Sequence, residues 1–173
     1  MLFRSVTAAE DDRIVGDLRA RQIFTQAGSV PLSRKKYLLY RTDLHGTPRL
    51  VADHFAPTAF HPSFDTGDGL WPSLQKHRAE VNALDHAGFW PLADLTLAAA
   101  FHGRTLDEAT DRGARFTNLG YWSDGRPVTP PLVGDDLALM PRVFPINGVR
   151  LIPWSVDTTL RISGGERLGT RKK

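Results

Sequence analysis

The first third of the chain combines one helical signal with two extended ones. The sequence Thr-Ala-Ala-Glu at positions 7–10 has the spacing of a capping box, in which the Thr and Glu side chains satisfy free amides at a helix start. It predicts a helix that begins at Thr7 and ends near Gly28. Residues 36–42 and 49–55 are apolar runs separated by a turn at 43–48, which is typical of a β-hairpin.

The central third is helical in pattern. Apolar residues recur at helical spacing over positions 74–84. Pro91 then opens a second helix over residues 92–102, which has almost no polar face and is therefore predicted to be the central buried helix. A second capping box begins at Thr105 and indicates a short third helix.

The final third changes character. Asn147-Gly148 is a strong hairpin signal, because both central residues of its turn need positive φ, and it separates predicted strands at 137–146 and 149–154. The predicted fold is therefore a single α+β domain over residues 1–162. It has an N-terminal helix and β-hairpin, central helices and an antiparallel, β-rich C-terminal third. Residues 163–173 form a basic, glycine-containing tail.

Composition and charge narrow the function classes. The 173 residues include no Cys, which excludes disulfide frameworks, thiolate zinc sites, iron–sulfur clusters and cysteine nucleophiles. The formal net charge of +3 divides into basic ends and an acidic middle. No apolar run reaches the roughly 18 residues of a membrane span, and we find no secretory signal pattern. We therefore expect a protein of the cytoplasm or of a virus particle, not a secreted or membrane protein.

Reactive side chains concentrate in the predicted hairpin and the loop after it. This His/Asp cluster consists of Asp43, His45, Asp53, His54, His61, Asp65 and Asp68. If the protein is an enzyme, the catalytic candidates are His45, His54, His61 and Asp43. A divalent metal held by His54, His61 and Asp43 is one alternative, and polar turn residues that cap local amides are the other. No dinucleotide fingerprint, P-loop or His-Glu-x-x-His motif is present, and no cofactor is expected.

Aromatic residues at loops and segment boundaries point toward partners. Side chains of this kind serve either as interface anchors or as core. The predicted interface residues are Phe60, Phe64, Trp71, Trp122 and Trp154, together with Arg171, Lys172 and Lys173 of the tail. We therefore expect a non-enzymatic subunit of a homo- or hetero-oligomeric protein assembly, with a phage or virus particle (head, neck or tail) as the favoured kind. Nucleic acid is a candidate partner through the basic tail alone. The alternative is a small metal-dependent enzyme or ligand-binding domain using the His/Asp cluster.

Overall fold

A three-stranded sheet organises the chain, and a helix packs on each of its faces. The computed structural model describes residues 4–58, 80–102 and 117–145. The strands are β1 (Arg4–Ala9), β2 (Lys35–Tyr40) and β3 (Leu132–Gly134), and the longer helices are α1 (Leu18–Gln26) and α2 (Trp90–His102). A 3-10 turn (Leu32–Arg34) precedes β2, and a π-helical segment (Leu84–Phe89) leads into α2. This is a mixed α+β single domain, as the sequence predicts.

The strand order is β1-β2-β3, so that β2 is central. β1 runs parallel to β2 in a register that pairs Arg4 with Lys35 and Ala9 with Tyr40. β3 runs antiparallel to β2, and Leu38 faces Val133. All six residues of β2 are buried, as expected for a strand covered on both faces.

The two faces of β2 supply two hydrophobic clusters. Tyr37 and Leu39 point to the α1 side, where they pack with Val6, Phe24, Met140 and Val143. Leu38 and Tyr40 point to the α2 side, where they pack with residues of the π-helical segment and α2, among them Leu84, Leu92, Leu95 and Ala99. The alternation follows from the two-residue repeat of a strand. In the described part of the chain, no helix is long and apolar enough to cross a membrane.

The capping box at Thr7 does not begin a helix. Residues 4–9 form β1 instead, and the first helix begins at Leu18. Pairing with the fully buried β2 and burial of Val6 and Ala9 outweigh the local helix signal. The prediction that this helix ends near Gly28 holds, because α1 ends at Gln26.

The first strand of the predicted β-hairpin is present, and the second is not. β2 corresponds to the predicted strand at 36–42, but residues 49–55 contain no strand, and one antiparallel bridge joins Asp43 to Leu50. The backbone after Leu50 makes hydrogen bonds to the turn after β1 and to a side chain instead. Ala52 accepts a hydrogen bond from the Asp11 amide (2.8 Å) and donates one to the Thr42 hydroxyl (3.0 Å). These contacts replace a regular ladder.

The C-terminal third departs further from its prediction. β3 is its one strand among the described residues; of the predicted strand, residues 137–140 form a turn and a bend and residues 141–145 have no regular secondary structure. The Arg21 guanidinium explains this, since it donates to the carbonyls of Leu137 (2.7 Å), Met140 (2.8 Å) and Pro141 (2.6 Å). A segment whose carbonyls converge on one cation does not present them to a neighbouring strand. The predicted Asn147-Gly148 hairpin and the tail lie outside the described residues.

Helix α2 confirms the helix predicted to open at Pro91, but its predicted burial is only half right. Leu92, Leu95 and Ala99 are buried, whereas Leu97 and Phe101 are exposed. The helix lies on one face of the sheet and not at the centre of the core. The predicted helix beginning at Thr105 lies outside the described residues.

Candidate functional site

The Asp43 carboxylate joins two segments that are distant in sequence. Oδ1 accepts a hydrogen bond from the His45 amide (3.0 Å), and Oδ2 accepts three: from Trp122 Nε1 (3.1 Å), the Thr129 amide (2.8 Å) and the Thr129 hydroxyl (2.9 Å). A carboxylate offers about four lone-pair positions. These bonds occupy Oδ2 fully and leave one acceptor position on Oδ1.

The environment keeps Asp43 ionised. Burial of the carboxylate acts to raise its pKa, but the hydrogen bonds from His45, Thr129 and Trp122 outweigh that effect and hold the pKa well below its ordinary value. A general base needs a pKa near the working pH. The Asp43 carboxylate is thus built as a permanent anion that holds structure together.

His45 lies at the surface between the Asp124 carboxylate and the Arg126 guanidinium. Arg126 Nη1 donates to His45 Nδ1 (3.1 Å), and His45 Nε2 lies 2.7 Å from Asp124 Oδ2. Because a guanidinium has no acceptor, Nδ1 carries no proton here, and Nε2 is the nitrogen that donates to Asp124. That hydrogen bond from His45 is the main cause lowering the pKa of Asp124.

The Gly125 turn (residues 120–129) presents these partners. Gly125 has φ of +84°, and its amide donates to the Trp122 carbonyl (2.9 Å), which closes the turn. Trp122 packs its indole against Gly46, where an added Cβ would overlap the ring. The half-buried Trp122, predicted as an interface anchor, therefore has an intramolecular role as well.

His54 belongs to a separate contact. Its Nδ1 lies 3.1 Å from Asp12 Oδ2, while Asp12 Oδ1 accepts the amides of Ile14 (3.0 Å) and Val15 (2.9 Å). Asp12 therefore shapes the turn between β1 and α1, and His54 packs edge-on against Phe55. His54 and Asp43 thus bind different partners.

The structure tests the metal hypothesis only for part of the cluster. No group of three or more potential ligands is positioned to hold a metal ion among the residues it describes. The other predicted residues of the cluster and the interface lie outside the described ranges: His61, Asp65, Asp68, Phe60, Phe64, Trp71, Trp154, Arg171, Lys172 and Lys173. Those interface and ligand assignments stay predictions.

Two recesses are notable among those of the described surface. The first, with a volume of about 320 Å³, is polar and is lined by Asp11, Pro48, Arg49, Val51, Asp53, Glu80 and Asn82. The second, which we call the α2 groove, has a volume of about 370 Å³ and runs between β1 and α2; its lining residues are Ser5, Thr7, Phe89, Leu92, Ala93, Thr96 and Leu97. Most of the α2 groove is apolar.

The apolar surface continues beyond the groove along α2. Trp90 is 41% exposed, Leu97 54% and Phe101 79%. The sequence predictions missed this surface, although its signal is present in the sequence: α2 is apolar on all sides, and a single buried face accounts for only half of that pattern.

Comparisons with known proteins give no match from which a function could be inferred. No protein-family model, curated protein sequence or solved structure matches this chain significantly.

Proposed function

We propose that this protein is a non-enzymatic subunit of a larger protein assembly and that it binds a partner through the α2 groove and the adjoining exposed face of α2. The observation that carries the proposal is the amount of apolar side chain left in solvent on one helix. Leu97 and Phe101 are more than half exposed beside an apolar recess. Contiguous apolar surface of this kind is typical of protein interaction sites.

The energetics of such a surface favour a docked partner. Removing apolar surface from water is worth about 25 cal/mol per Å². Leu97 projects into solvent next to Ala93 on the rim of the groove, so one partner side chain in the groove contacts both. Large side chains at the centre of a patch commonly contribute most of the binding energy.

The polar residues support a structural role rather than a catalytic one. Asp43 accepts four hydrogen bonds, from His45, Trp122 and Thr129, and His54 binds Asp12. His45 is engaged on both ring nitrogens, by Arg126 at Nδ1 and by Asp124 at Nε2. This favours the assembly proposal over the metal-dependent enzyme.

The proposal extends to the kind of assembly. The assembly that we propose is a phage or virus particle, and the location is the cytoplasm or the particle interior. Both are predictions made from the sequence. Binding of nucleic acid through the basic tail stays a prediction in the same sense.

Site-specific photo-crosslinking in the native cells tests the proposal. A photoreactive phenylalanine analogue at Leu97 or Phe101 is expected to give discrete protein adducts, identified by mass spectrometry. The matched control places the same analogue at Ser123, an exposed residue of the Gly125 turn, where we expect no adduct. Adducts equal to those of the control at both α2 positions would overturn the proposal.

A second measurement uses the exposed leucine itself. Because Leu97 is 54% exposed, Leu97→Glu is expected to leave the fold intact and to weaken partner binding by at least about tenfold. The control is Asp94→Asn, also at an exposed position of α2. Unchanged binding of the Leu97→Glu protein would contradict the assignment of this surface.

A further inference from the structure

Asp85 is a buried carboxyl group near the start of the π-helical segment. The residue is 0% exposed. Its Oδ2 accepts the Asn82 amide (3.0 Å), and the Asn82 side-chain oxygen accepts the Leu84 amide (2.8 Å), so that the two side chains together cap the start of the segment. The other carboxyl oxygen, Oδ1, is also buried and has no hydrogen-bond partner among the described residues.

The surroundings of Asp85 favour the neutral acid over the carboxylate. Leu84 beside it belongs to the apolar cluster on the α2 side, and no Lys or Arg of the described ranges forms an ion pair with Asp85. A buried carboxylate without a cation and with one oxygen unpaired is far less favourable than the neutral acid. Burial accordingly raises the pKa of Asp85, although the Asn82 amide and His86 act in the opposite direction.

The titratable groups around Asp85 do not supply the missing positive charge. His86 follows it in the segment and is exposed to solvent. From β2, Tyr40 packs against the segment at Gly88, and burial raises the pKa of its phenol above the ordinary value, so that the phenol stays neutral. The polar recess that Asn82 lines carries further charges: Asp11, Arg49, Asp53 and Glu80. Three carboxylates against one guanidinium give that recess a net negative charge, which disfavours an anion at Asp85.

The unpaired buried polar side chains of the described residues lie on the α2 side of the sheet. Their atoms are Ser5 Oγ, Tyr40 Oη and Asp85 Oδ1. Ser5 lines the α2 groove, and Tyr40 belongs to the α2-side cluster. On the α1 side, by contrast, the buried Lys35 ammonium donates to two carbonyls at the end of α1 (both 3.1 Å). Each unpaired group gains hydrogen bonds to water when its contact opens, so the π-helical segment opens more easily than α1.

The π-helical segment connects Asp85 to α2 and to its groove. The Trp90 amide donates to the Asp85 carbonyl, five positions earlier, and Phe89, which ends the segment, lines the α2 groove. Turns of π-helix are rare and are frequent at functional sites. We propose that Asp85 is a pH-sensitive switch: as the neutral acid it holds the π-helical segment in the core, and its ionisation as the pH rises admits water and releases that segment. This inference goes beyond the proposed function and does not depend on it.

Asp85→Asn tests whether Asp85 titrates in this way, since the amide keeps an oxygen for the Asn82 amide but does not ionise. Folding favours the neutral form, so the stabilisation is complete below the ordinary carboxyl pKa of about 4 and is lost as the pH rises from there toward the higher folded pKa. Urea denaturation at several pH values gives the unfolding constants of both proteins. We expect the ratio of the wild-type constant to that of Asp85→Asn to rise by up to about tenfold per pH unit above about pH 4.

Asp94→Asn is the matched control, because Asp94 is exposed on α2; its unfolding constant is expected to follow that of the wild type across the pH range. A constant ratio for Asp85→Asn, or one that rises toward acid, would overturn the inference. If Asp85→Asn does not fold, carbon-13 NMR of the wild type decides. One Asp carboxyl resonance is then expected to titrate well above about pH 4, and titration of all of them at or below that pH refutes the switch.

Hydrogen–deuterium exchange tests the release itself, after correction for the intrinsic pH dependence of amide exchange. In the wild type, peptides covering residues 82–92 are expected to lose protection with rising pH before peptides of β2 and α1 do, and in Asp85→Asn they keep it. Simultaneous loss in all three elements would mean global unfolding and refute the release. Both measurements use the purified chain without a partner, so a negative result leaves the proposed function standing.

Discussion

Removal of the Asp43 carboxylate is the sharpest test of how the two halves of the candidate site are held together. The Asp43 loop (residues 43–50) and the Gly125 turn meet through one buried anion that accepts four hydrogen bonds. In Asp43→Ala the indole N–H of Trp122 and the amide of Thr129 lose their acceptor. Each donor left unsatisfied in a partly buried place costs about 1–3 kcal/mol.

The expected loss follows from that count. The two donors, with a smaller contribution from the His45 amide, give about 3–5 kcal/mol for Asp43→Ala, because water replaces part of what is lost. Asp43→Asn retains one carbonyl oxygen for Trp122 and Thr129 but turns an NH₂ group toward the His45 amide. We expect it to cost less, about 1–2 kcal/mol.

Urea denaturation followed by tryptophan fluorescence measures both variants, and Trp122 lies inside the perturbed contact. The slope of the unfolding free energy against urea must stay constant, so that midpoint shifts report stability. Asp124→Asn serves as the control, since its carboxylate is exposed. A loss below about 1 kcal/mol for Asp43→Ala, smaller than one unsatisfied donor costs, would refute the assignment of Asp43 as the hub of this contact.

The difference in stability between the wild type and Asp43→Asn is expected to depend on pH. The folded-state pKa of Asp43 lies below its unfolded value, so folding is favoured by the ionised form. The stabilisation is complete above the ordinary carboxyl pKa of about 4 and declines as the pH falls from there toward the lower folded pKa. Between about pH 5 and pH 2 the stability advantage of the wild type over Asp43→Asn is therefore expected to shrink. An advantage that grows in acid would contradict the sign.

Two further predictions concern the core. Arg21 is almost buried, pairs with Asp17 and donates to three carbonyls. Arg21→Ala leaves the buried Asp17 carboxylate without its partner, so we expect urea denaturation to show a loss of about 3–5 kcal/mol in the free energy of unfolding. A loss under about 1 kcal/mol, typical of a surface ion pair, would contradict this. Gly88→Ala is expected to cost about 1–3 kcal/mol through overpacking, since its Cβ would lie 2.6 Å from the Tyr40 ring, whereas nothing lies within 4 Å of a Cβ at the control position Gly28. Equal changes in melting temperature for Gly88→Ala and Gly28→Ala would contradict the prediction that the π-helical segment is overpacked.

The elements that were predictable from sequence are those whose local pattern agrees with their burial. The apolar run of β2 and Pro91 at the start of α2 predict a strand and a helix that the structure contains. The capping box at Thr7 failed because side-chain pattern reports a local preference, while β1 is fixed by pairing with a strand about 30 positions later. No local rule anticipates that partner.

The candidate site shows the same division. Asp43, His45 and Trp122 each stood out in the sequence, the first two for their chemistry and the third for its position at a turn. What joins them is a contact between residues 79 positions apart, and a single sequence carries no record of it. In the structure Asp43 accepts hydrogen bonds from the backbone and from Trp122, which fits the alternative of a polar turn residue that caps local amides, while its catalytic or metal-binding role stays a prediction.

The two edges of the described sheet differ in the features that oppose pairing with another strand. β3 is three residues long, Pro130 and Pro131 precede it, and Asp135 and Asp136 follow it. Short length, proline and charge are the devices that keep an edge strand from pairing with another chain. β1 has six residues with Ser, Val, Thr and Ala in its interior, and it too is flanked by charge, since Arg4 begins it and Glu10 and Asp11 follow it. Within the described residues, the β3 edge thus carries proline and short length that the β1 edge lacks, while charged residues flank both.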